Sequence, residues 1–514
     1  MDFGSPVEFG SLVSCQRSLL RSVLAAASLA FAFICAGPLN ISGTARAGQI
    51  TPDAGSQKEV HLLFAGDILL SRQVAGEIAR KKESPWKNLQ TLIHSADWAA
   101  GNLEGAVGNS SNCLESSERS PCFAIDPSLI HYLRDAGFSA LGNENNHADD
   151  LGPATRTTTR DALAAENLLP LTFDSSPSFL RFGATTVAII SITEVPDHQG
   201  DPGQMRSVAL DQKIRLGRAL ANLVVVSIHW GDELIDWPAE KQRQDAAWLI
   251  SNGVDLVIGA HPHVVQKPEC VSGKPVFYSL GNHIFDQKYP ATKEGLLADC
   301  RIGANVLRCS GIRTETSPAT SFPEKFSTDV SVQDALSACP VQLRPTLTVS
   351  GFRLRPEPSS PGNFSRDIWI EGFKQESSRG DQATWRTRPA QLLSLETGRL
   401  KGSGGPVFLL SLEKHSSPID ADNEPRPYVY EVGPAGFIAR WRGSALAWPL
   451  LDARLLSADD GFMCALHRGD SFLVLSPASR GTRVAAYRWN GFGFTGISDP
   501  AIVSQCQTLF TRAN

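Results

Sequence analysis

The sequence lacks the features that mark nucleic-acid-binding proteins, zinc–thiolate proteins and proteins with several membrane spans. Lysine and arginine (48) are outnumbered by aspartate and glutamate (53), and the formal net charge of −5 predicts no basic surface for nucleic acid. No two cysteines have the Cys-x-x-Cys spacing, which argues against a zinc–thiolate site. Only one run, near the N-terminus, is long and apolar, and it is short for a membrane span. The remaining composition, 42% hydrophobic and 20% charged, is that of an ordinary globular protein, and 514 residues predict at least two domains.

The single apolar run has the features of a secretory signal peptide. Arg17 and Arg21 precede the run SVLAAASLAFAFICAG, and Ala45-Arg46-Ala47 offers an A-x-A cleavage site. We therefore expect residues 1–47 to be a signal peptide and the protein to be exported to the periplasm or cell envelope. The alternative is an N-terminal anchor that is not cleaved.

Eight cysteines follow the expected signal peptide, and export would place them in an oxidising compartment. An even number of cysteines is typical of disulfide pairing. We expect Cys113 to pair with Cys122 in a serine-rich loop, and Cys464 to pair with Cys506 near the C-terminus. The alternative for some of the eight is a buried thiol.

Two regions of different character follow along the chain. Apolar runs such as HLLFAG, TVAIISITE and LVVVSIHW alternate with amphipathic segments such as AEKQRQDAAWLISNG, which predicts an α/β domain over residues 58–375. The polar stretch QESSRGDQATW is a predicted linker. Short runs separated by Gly, Asp and Ser turns predict a smaller β-rich domain over residues 385–514.

Polar residues stand directly after six of the predicted strands in the α/β region. Ligands of open α/β sheets bind outside the carboxyl ends of the strands, so these residues are candidates for one shared site. Five of the eleven histidines lie at these strand ends. The residues are Asp67; Asn102 and Glu104; Asn145, Asn146, His147 and Asp150; His229; His261 and His263; Asn282 and His283.

The residue types at the strand ends favour a metal site. Carboxylates, amide oxygens and imidazoles are ligands of divalent ions such as Mn, Fe, Zn or Mg. Two such ions close together can activate a water molecule and hold both oxygens of a displacement reaction. Taken singly, each residue also has a structural explanation: an aspartate at a strand end is commonly a helix N-cap, and a histidine in a turn is commonly structural.

Six short motifs, in order, resemble the capsule-synthesis CapA family of the calcineurin-like metallophosphatase superfamily. They are GDILLSR, NLE, NNHADDLG, HWGDE, GAHPHVVQ and YSLGNHIFDQ, and the resemblance covers roughly residues 58–300. The resemblance implies a four-layer αββα fold and a centre of two divalent metal ions. It also implies an association with poly-γ-glutamate.

The resemblance also implies a role for each residue of the site. His147 would be the general acid, with Asp150 orienting it, and Arg72, Asn145 and Asn282 would contact the substrate. The metal ligands would be Asp67, Glu104, Asn146, His229, His261 and His263. The sequence departs from the superfamily at Leu69, where a histidine ligand is usual, and at His283, where the family commonly has phenylalanine.

The leading hypothesis is an exported, metal-dependent hydrolase or transferase. It would act on a phosphoester or on an anionic polymer such as poly-γ-glutamate, together with membrane-bound polymer-synthesis proteins. One alternative is a non-catalytic envelope factor that binds polymer, and another is a secreted phosphoesterase of the 5′-nucleotidase type. The C-terminal β region lies outside the resemblance, and it would either bind glycan or peptide or pack on the catalytic domain.

Overall fold

The computed structural model describes residues 59–114, 121–197, 203–362, 367–375, 382–401, 405–414, 425–443, 446, 449–469 and 481–511. The expected signal peptide, residues 1–47, lies outside these residues, and so does the strand predicted at SFLVLSP. No helix among the described residues is long and apolar enough to cross a membrane.

The helices of the described residues are, in chain order, α1 (Arg72–Lys81), α2 (Gln90–His94), α3 (His131–Ala136), α4 (Thr155–Ala165), α5 (Val208–Leu220), α6 (Glu240–Ser251), α7 (Val330–Leu336) and α8 (Pro500–Thr511). The strands as far as residue 303 are β1 (Val60–Ile68), β2 (Trp98–Leu103), β3 (Ala106–Val107), β4 (Ala124–Ile125), β5 (Ala140–Gly142), β6 (Leu169–Leu171), β7 (Ser178–Phe182), β8 (Thr185–Thr193), β9 (Leu223–His229), β10 (Leu256–Ala260), β11 (Val265–Gln266), β12 (Glu269–Val271), β13 (Lys274–Phe277), β14 (Ser279–Leu280), β15 (Asn282–Ile284) and β16 (Glu294–Gly303). The later strands are β17 (Val306–Thr316), β18 (Pro323–Thr328), β19 (Val341–Gln342), β20 (Thr348–Val349), β21 (Phe352–Pro356), β22 (Ile370–Lys374), β23 (Trp385–Arg386), β24 (Gln391–Gly398), β25 (Phe408–Lys414), β26 (Pro425–Gly433), β27 (Gly436–Arg442), β28 (Leu450–Leu455), β29 (Phe462–Arg468), β30 (Thr482–Trp489) and β31 (Phe494–Ile497).

Two mixed sheets pack face to face in the α/β region. The first has the order β18-β17-β16-β1-β2-β5-β6, with β15 pairing with β1 and β19 with β17, and the second has the order β12-β13-β10-β9-β8-β7. Their facing surfaces form one buried cluster, in which Phe64 and Trp98 of the first sheet join Val225 and Ile258 of the second. Strands buried on both faces are nearly continuous in apolar residues, which is the pattern of the LVVVSIHW run.

Helices cover the outer face of each sheet, so the α/β region has the four-layer αββα fold that was expected. Helices α1, α2, α3 and α4 pack on the first sheet through residues such as Val74 and Leu133. Helices α5 and α6 pack on the second sheet through residues such as Ile214 and Leu249. Helix α6 ends close to Gly253, whose φ of 102° places it in the left-handed region that favours glycine.

Four disulfides link all eight cysteines that follow the expected signal peptide. The predicted pairs Cys113–Cys122 and Cys464–Cys506 are confirmed, and the other two bonds are Cys270–Cys339 and Cys300–Cys309. The second predicted pair fastens α8 to β29, within an apolar cluster that includes Phe510. Four disulfides indicate an oxidising compartment, outside the cell or in the periplasm.

The C-terminal region is rich in β structure, as expected, and it shares a core with the α/β region. It contains the sheets β24-β25-β26-β27 and β28-β29-β30-β31, and the sheet β20-β21-β22-β23 spans the predicted boundary, with only β23 at or beyond residue 385. Leu395 and Leu409 of this region lie in the same buried cluster as Ile214 of α5. Helix α5 therefore packs on the second sheet on one side and on β24 on the other. The division into domains at residues 375–385 stays a prediction.

Candidate metal centre

The carboxyl ends of the two sheets meet at one edge of the sandwich. In the first sheet, the register places Asp67 of β1 beside Asn102 of β2 and beside Asn282 of β15. In the second sheet, His229 of β9 lies beside Ala260 of β10. The Nδ2 atom of Asn102 lies 3.3 Å from Nδ1 of His229, so the strand ends of the two sheets are in contact.

Asp67 is the most central carboxylate of the cluster. Its side chain is fully buried, and its Oδ1 accepts a hydrogen bond of 2.8 Å from Nδ2 of Asn102. Its Oδ2 accepts a hydrogen bond of 3.2 Å from the backbone N–H of His261 and lies 3.3 Å from Nδ1 of His263. Asp67 therefore joins the two sheets and fixes the loop that follows β10.

That loop, GAHPHVVQ, holds two histidines in an unfavourable backbone conformation. The φ angles of His261 and His263 are 99° and 60°, in the left-handed region that non-glycine residues rarely adopt. Such residues cost about 1–3 kcal/mol each and persist where the surrounding structure fixes them. A Cβ at Gly259 would lie 2.0 Å from the carbonyl oxygen of Tyr278, so only glycine fits before the loop. Positive φ angles at two buried imidazoles of one short loop are typical of a functional site.

Several polar atoms of the cluster are buried without a hydrogen-bond partner. Both carboxylate oxygens of Glu104 are in this state, and so is Nδ1 of His261. A carboxylate oxygen of Glu104 lies 3.6 Å from Nε2 of His263 and 3.9 Å from Nε2 of His147. Leaving buried polar groups unpaired is costly, so their presence here calls for a ligand or an ion. Carboxylate and imidazole donors left without partners fit a divalent metal ion.

Two groups of side chains have the spacing of metal ligands. Asp67, Glu104 and His263 form one group, and Glu233, His261 and His263 form the other; within each group the ligand atoms lie within 4.8 Å of one another. Because His263 belongs to both, the groups are overlapping parts of one site. The type and number of ions stay a prediction.

The protonation of the histidines suits metal binding. Burial lowers the pKa of His229, and the neighbouring His261 and His263 lower it further. Burial, together with His263, lowers the pKa of His261 to about 3. Both imidazoles are therefore neutral near pH 7, which is the form that binds metal ions.

Near the carboxylates of the cluster, the pKa values of Glu104 and His263 are raised and not lowered. Burial raises the pKa of Glu104 well above its usual range, more than the nearby His263 lowers it. Burial alone would lower the pKa of His263, but the carboxylates of Glu104 and Asp67 outweigh it and raise the pKa to about 9. A cation is therefore favoured at the position between these carboxylates.

His147 is held from two sides. Its Nδ1 lies 3.0 Å from Oδ2 of Asp150, and its ring stacks on the ring of Phe123 with 3.8 Å between centroids. The backbone N–H of Phe123 donates a hydrogen bond of 2.6 Å to Oδ2 of Asp150. The backbone N–H of Leu114 donates one of 3.0 Å to the carbonyl oxygen of Asp150.

Leu114 and Phe123 directly follow Cys113 and Cys122, so the first disulfide closes the loop that orients His147 and Asp150. With Nδ1 facing Asp150, the Nε2 atom of His147 faces the Glu104 carboxylate. This is the arrangement by which a carboxylate fixes the orientation and tautomer of a histidine.

The remaining metal-ligand candidate, Asn146, also reaches the cluster. Its Oδ1 lies 2.8 Å from Nε2 of His229. Its neighbour Asn145 is fully buried and donates hydrogen bonds to Oδ1 of Asn102 and to the carbonyl oxygen of Leu103. In this structure Asn145 therefore holds the first sheet's strand ends together, and its predicted contact with substrate stays a prediction.

The other two predicted substrate contacts, Asn282 and Arg72, differ in exposure and in how many of their polar atoms are already bonded. The Oδ1 atom of Asn282 lies 3.0 Å from Nδ1 of His263, and its Nδ2 donates to Oε1 of Gln287 at 2.9 Å. Arg72 is partly exposed, pairs with Asp286 at 3.1 Å and lies over the ring of Phe123. Arg72 is thus the more available of the two for an anionic ligand.

His283 lies apart from the metal-ligand groups and takes a structural role. It is buried, and its Nε2 accepts a hydrogen bond of 2.9 Å from Nε1 of Trp86. Burial lowers its pKa to about 3, so it is a neutral acceptor in the core. Of the two roles open to His283 in the sequence, a polar contact at the site or the filling of space, the structure favours the second.

Two residues of the site, Glu233 and Phe123, were not among the sequence-predicted candidates, and Asn102 was a strand-end candidate without an assigned role. Glu233 lies within the HWGDE motif, and its position after a strand end was a usable signal. Asn102 lies within NLE and bonds both Asp67 and His229. Phe123 gave no signal, because its stacking on His147 depends on a disulfide loop from elsewhere in the chain.

Comparison with known proteins gives a family match and several relatives. Residues 61–287 match the family described as bacterial capsule synthesis protein PGA_cap. The PGA biosynthesis protein CapA of Bacillus subtilis (strain 168) is 28% identical over 260 residues, which are 47% of this chain and 67% of that protein. The capsule biosynthesis protein CapA of Bacillus anthracis is 24% identical over 270 residues, 48% of this chain and 65% of that protein. A protein of Mycobacterium tuberculosis (strain CDC 1551 / Oshkosh), named as a probable polyglutamine synthesis accessory protein, is 26% identical over 290 residues, 49% of this chain and 74% of that protein.

Proposed function

Residues 61–287 form a domain of the bacterial capsule synthesis protein family, and on that premise we propose that the protein acts in the synthesis of a capsule polymer such as poly-γ-glutamate. Its strand-end cluster is a metal-dependent hydrolase or transferase site that acts on the polymer or on a phosphoester. The four disulfides support a location outside the cytoplasm. The signal peptide at residues 1–47 supplies the export, and membrane-bound polymer-synthesis proteins are the expected partners.

The observation that supports the proposal most directly is the set of buried donor atoms without partners. Glu104 and His261 offer such atoms within two overlapping groups of metal-ligand spacing. We propose that Asp67, Glu104, Asn146, His229, His261 and His263 hold two divalent ions, with Glu233 as a further ligand. When bound, divalent ions supply Lewis-acid chemistry, polarising a carbonyl or phosphoryl oxygen and lowering the pKa of water.

The protein's own residues would bind, orient and move a proton. His147 is the general acid, because Asp150 holds its Nδ1 and leaves Nε2 facing the Glu104 side of the cluster. Phe123 covers one face of the imidazole and keeps its plane fixed. Arg72, at the rim, attracts an anionic group of the substrate.

The experiment measures bound metal and activity on the same preparations. The full chain is loaded with Mn, Fe, Zn or Mg, and its metal content is determined by mass spectrometry. The double variant His261→Ala/His263→Ala should lose most of the metal, while His131→Ala, which changes a half-buried histidine outside the metal-ligand groups, should retain it. Hydrolysis of γ-glutamyl polymer, of aryl phosphates and of nucleotides then separates the substrate classes. A chain that binds none of the four metals, or equal metal in the two variants, would refute the centre.

A second candidate function is a polymer-binding factor without catalysis. The observation that favours it is Leu69, which is fully buried in the apolar core where the superfamily usually has a histidine ligand. Polymer production in cells that carry Glu104→Ala/His229→Ala decides between the two. Production at the wild-type level supports the binding factor, and lost production from a folded variant supports the enzyme.

A further inference from the structure

A cavity lies in the C-terminal β region, outside the part of the chain that matches the capsule synthesis family. It has a volume of about 380 Å³, within the range of small-ligand sites. Its walls come from β22, from the segment that follows β23, and from one face of the sheet β24-β25-β26-β27. The residues that shape it include Ile370, Arg388, Glu413, Tyr428, Tyr430 and Arg442.

The charge of the cavity is predominantly positive. Three arginines, Arg386, Arg388 and Arg442, line it together with a single acidic residue, Glu413. Arg386 pairs with Glu371 at 2.7 Å. Among the residues that the structure describes, the guanidinium groups of Arg388 and Arg442 make neither a hydrogen bond nor an ion pair. Two guanidinium groups are thus available to an anionic ligand.

A β-bulge turns Arg442 towards the cavity. In the pairing of β26 with β27, Val429 lies opposite Trp441 and Tyr430 lies opposite Ala439, so Arg440 is an extra residue. Phe437 and Ala439 line the cavity, and strict alternation would next place Trp441 there. The bulge shifts the alternation by one residue, and Arg442 lines the cavity in place of Trp441.

The floor of the cavity is a buried polar group. Glu413 is 5% exposed, and its Oε1 accepts hydrogen bonds of 3.0 Å from Tyr430 and from Ser411. A carboxylate has acceptor sites beyond these two bonds, so it can also accept from an N–H of a ligand. Positive groups at the rim and an acceptor at the floor complement a ligand with carboxylates and N–H groups.

We propose that this cavity binds an acidic peptide-like chain, with ligand carboxylates on Arg388 and Arg442 and a ligand amide N–H directed to Glu413. A glutamyl chain has this chemistry, because it repeats one free carboxylate and one amide in every residue. An acidic glycan fits less well. The rings of Tyr428 and Tyr430 stack on each other at 5.9 Å and are buried. The half-buried Phe437 packs on Tyr430 and Trp385, so these rings pack on one another and do not form a flat platform for a sugar ring.

The inference goes beyond the proposed function, because it needs no metal and no reaction at the strand-end centre. The site would retain polymer on the protein while leaving the strand-end centre free. Its failure and the failure of the metal centre are therefore separable by experiment.

The test measures binding of fluorescent glutamyl oligomers to the full chain by anisotropy at low and high salt. Oligomers of γ-linked and of α-linked glutamate are compared, because both carry carboxylates and amides and differ only in the linkage. We expect Arg388→Gln/Arg442→Gln to weaken binding by about tenfold or more. The control is Arg440→Gln, which removes one guanidinium group from β27, the strand that also carries Arg442, at a residue paired with Glu431 outside the cavity. The control should bind as the wild type does.

Three results would overturn the inference. One is equal binding by Arg388→Gln/Arg442→Gln and Arg440→Gln. Another is loss of binding in His261→Ala/His263→Ala, which would place the oligomer at the strand-end centre. The third is tighter binding of an oligogalacturonate than of either glutamyl oligomer, which would assign the cavity to a glycan. Far-ultraviolet circular dichroism of each variant confirms that it is folded.

Discussion

Two buried clusters of charged side chains in this protein differ in whether their carboxylates have bonded partners. At the interface of α5 with β24 and β28, positive and negative groups alternate. Arg215 bonds Asp211 at 2.8 Å, Glu396 at 2.7 Å and Asp452 at 2.7 Å. Arg454 bonds Asp211 and Asp452, each at 2.8 Å. Every carboxylate of this interface cluster therefore has a cationic partner.

The strand-end cluster is built the other way. Its carboxylates, Asp67 and Glu104, lie close to each other and to histidines, and neither oxygen of Glu104 has a hydrogen-bond partner. A buried pair that is fully bonded holds elements together, whereas buried groups left without partners store unfavourable energy. The difference indicates that the interface cluster is structural and that the strand-end cluster is a ligand site. Charge and burial alone do not distinguish the two, since both clusters are buried.

The largest expected effect is a loss of unfolding free energy when one arginine of the interface cluster is replaced. Arg215→Met keeps much of the side chain's volume but removes one of the two guanidinium groups that pair with Asp452, which is fully buried, and leaves three carboxylates facing one arginine. Breaking a buried pair on one side costs about 3–5 kcal/mol of unfolding free energy. Urea denaturation of the full chain measures the change. A loss below about 1 kcal/mol, the value typical of an exposed pair, would show that the interface cluster is not structural.

The second prediction has the opposite sign and concerns the strand-end cluster. Glu104→Gln removes a buried carboxylate that has no hydrogen-bond partner, so the metal-free variant should be more stable than metal-free wild type at pH 7 by about 1–3 kcal/mol, the usual cost of an unsatisfied buried polar group. The pKa of Glu104 is raised in the folded protein, so wild type loses stability as the pH rises above the unfolded pKa of about 4.3. The advantage of the variant should therefore vanish below about pH 4.

The matched control is Asp452→Asn, because Asp452 is also fully buried but Arg215 and Arg454 outweigh burial and lower its pKa. Both arginine partners are present, so this variant should lose stability. Urea denaturation in the presence of a chelator compares the two. If both variants shift stability in the same direction, the proposed contrast between the clusters is wrong.

Much of the fold and of the strand-end cluster was predictable from the sequence, for a specific physical reason. Buried parallel strands such as β9 are apolar throughout, so a polar residue directly after them, such as His229, stands out in the sequence. The register of the sheets then brings these residues together. The strain at His261 and His263 and the stacking of Phe123 on His147 were not predictable, because they depend on contacts between distant segments.

The interface cluster was not predictable either. Arg215 and Asp452 are ordinary charged residues in an amphipathic helix and in a short strand, and nothing in the sequence indicates that they meet. The polar face of α5 is normally interpreted as exposed, yet the C-terminal region covers it. Sequence patterns identify polar residues that interrupt apolar runs, and they miss polar residues that two amphipathic faces bury between them.

The smallest expected effect tests whether the contrast between bonded and unbonded buried carboxylates also holds for a single carboxylate outside both clusters. Glu77 of α1 is buried, but Lys81, Thr320 and the backbone N–H of Ser321 bond its two oxygens. Burial alone would raise the pKa of Glu77, and these bonds outweigh burial and lower the pKa to about 2. The stability that Glu77 contributes is therefore present above the unfolded pKa of about 4.3 and is lost as the pH falls towards 2. Glu77→Gln should cost about 1 kcal/mol at pH 7 and nothing at low pH, as measured by urea denaturation across that range. A cost that is independent of pH would mean that packing, and not the bonded carboxylate, stabilises this position, and the contrast with Glu104 would then rest on the two clusters alone.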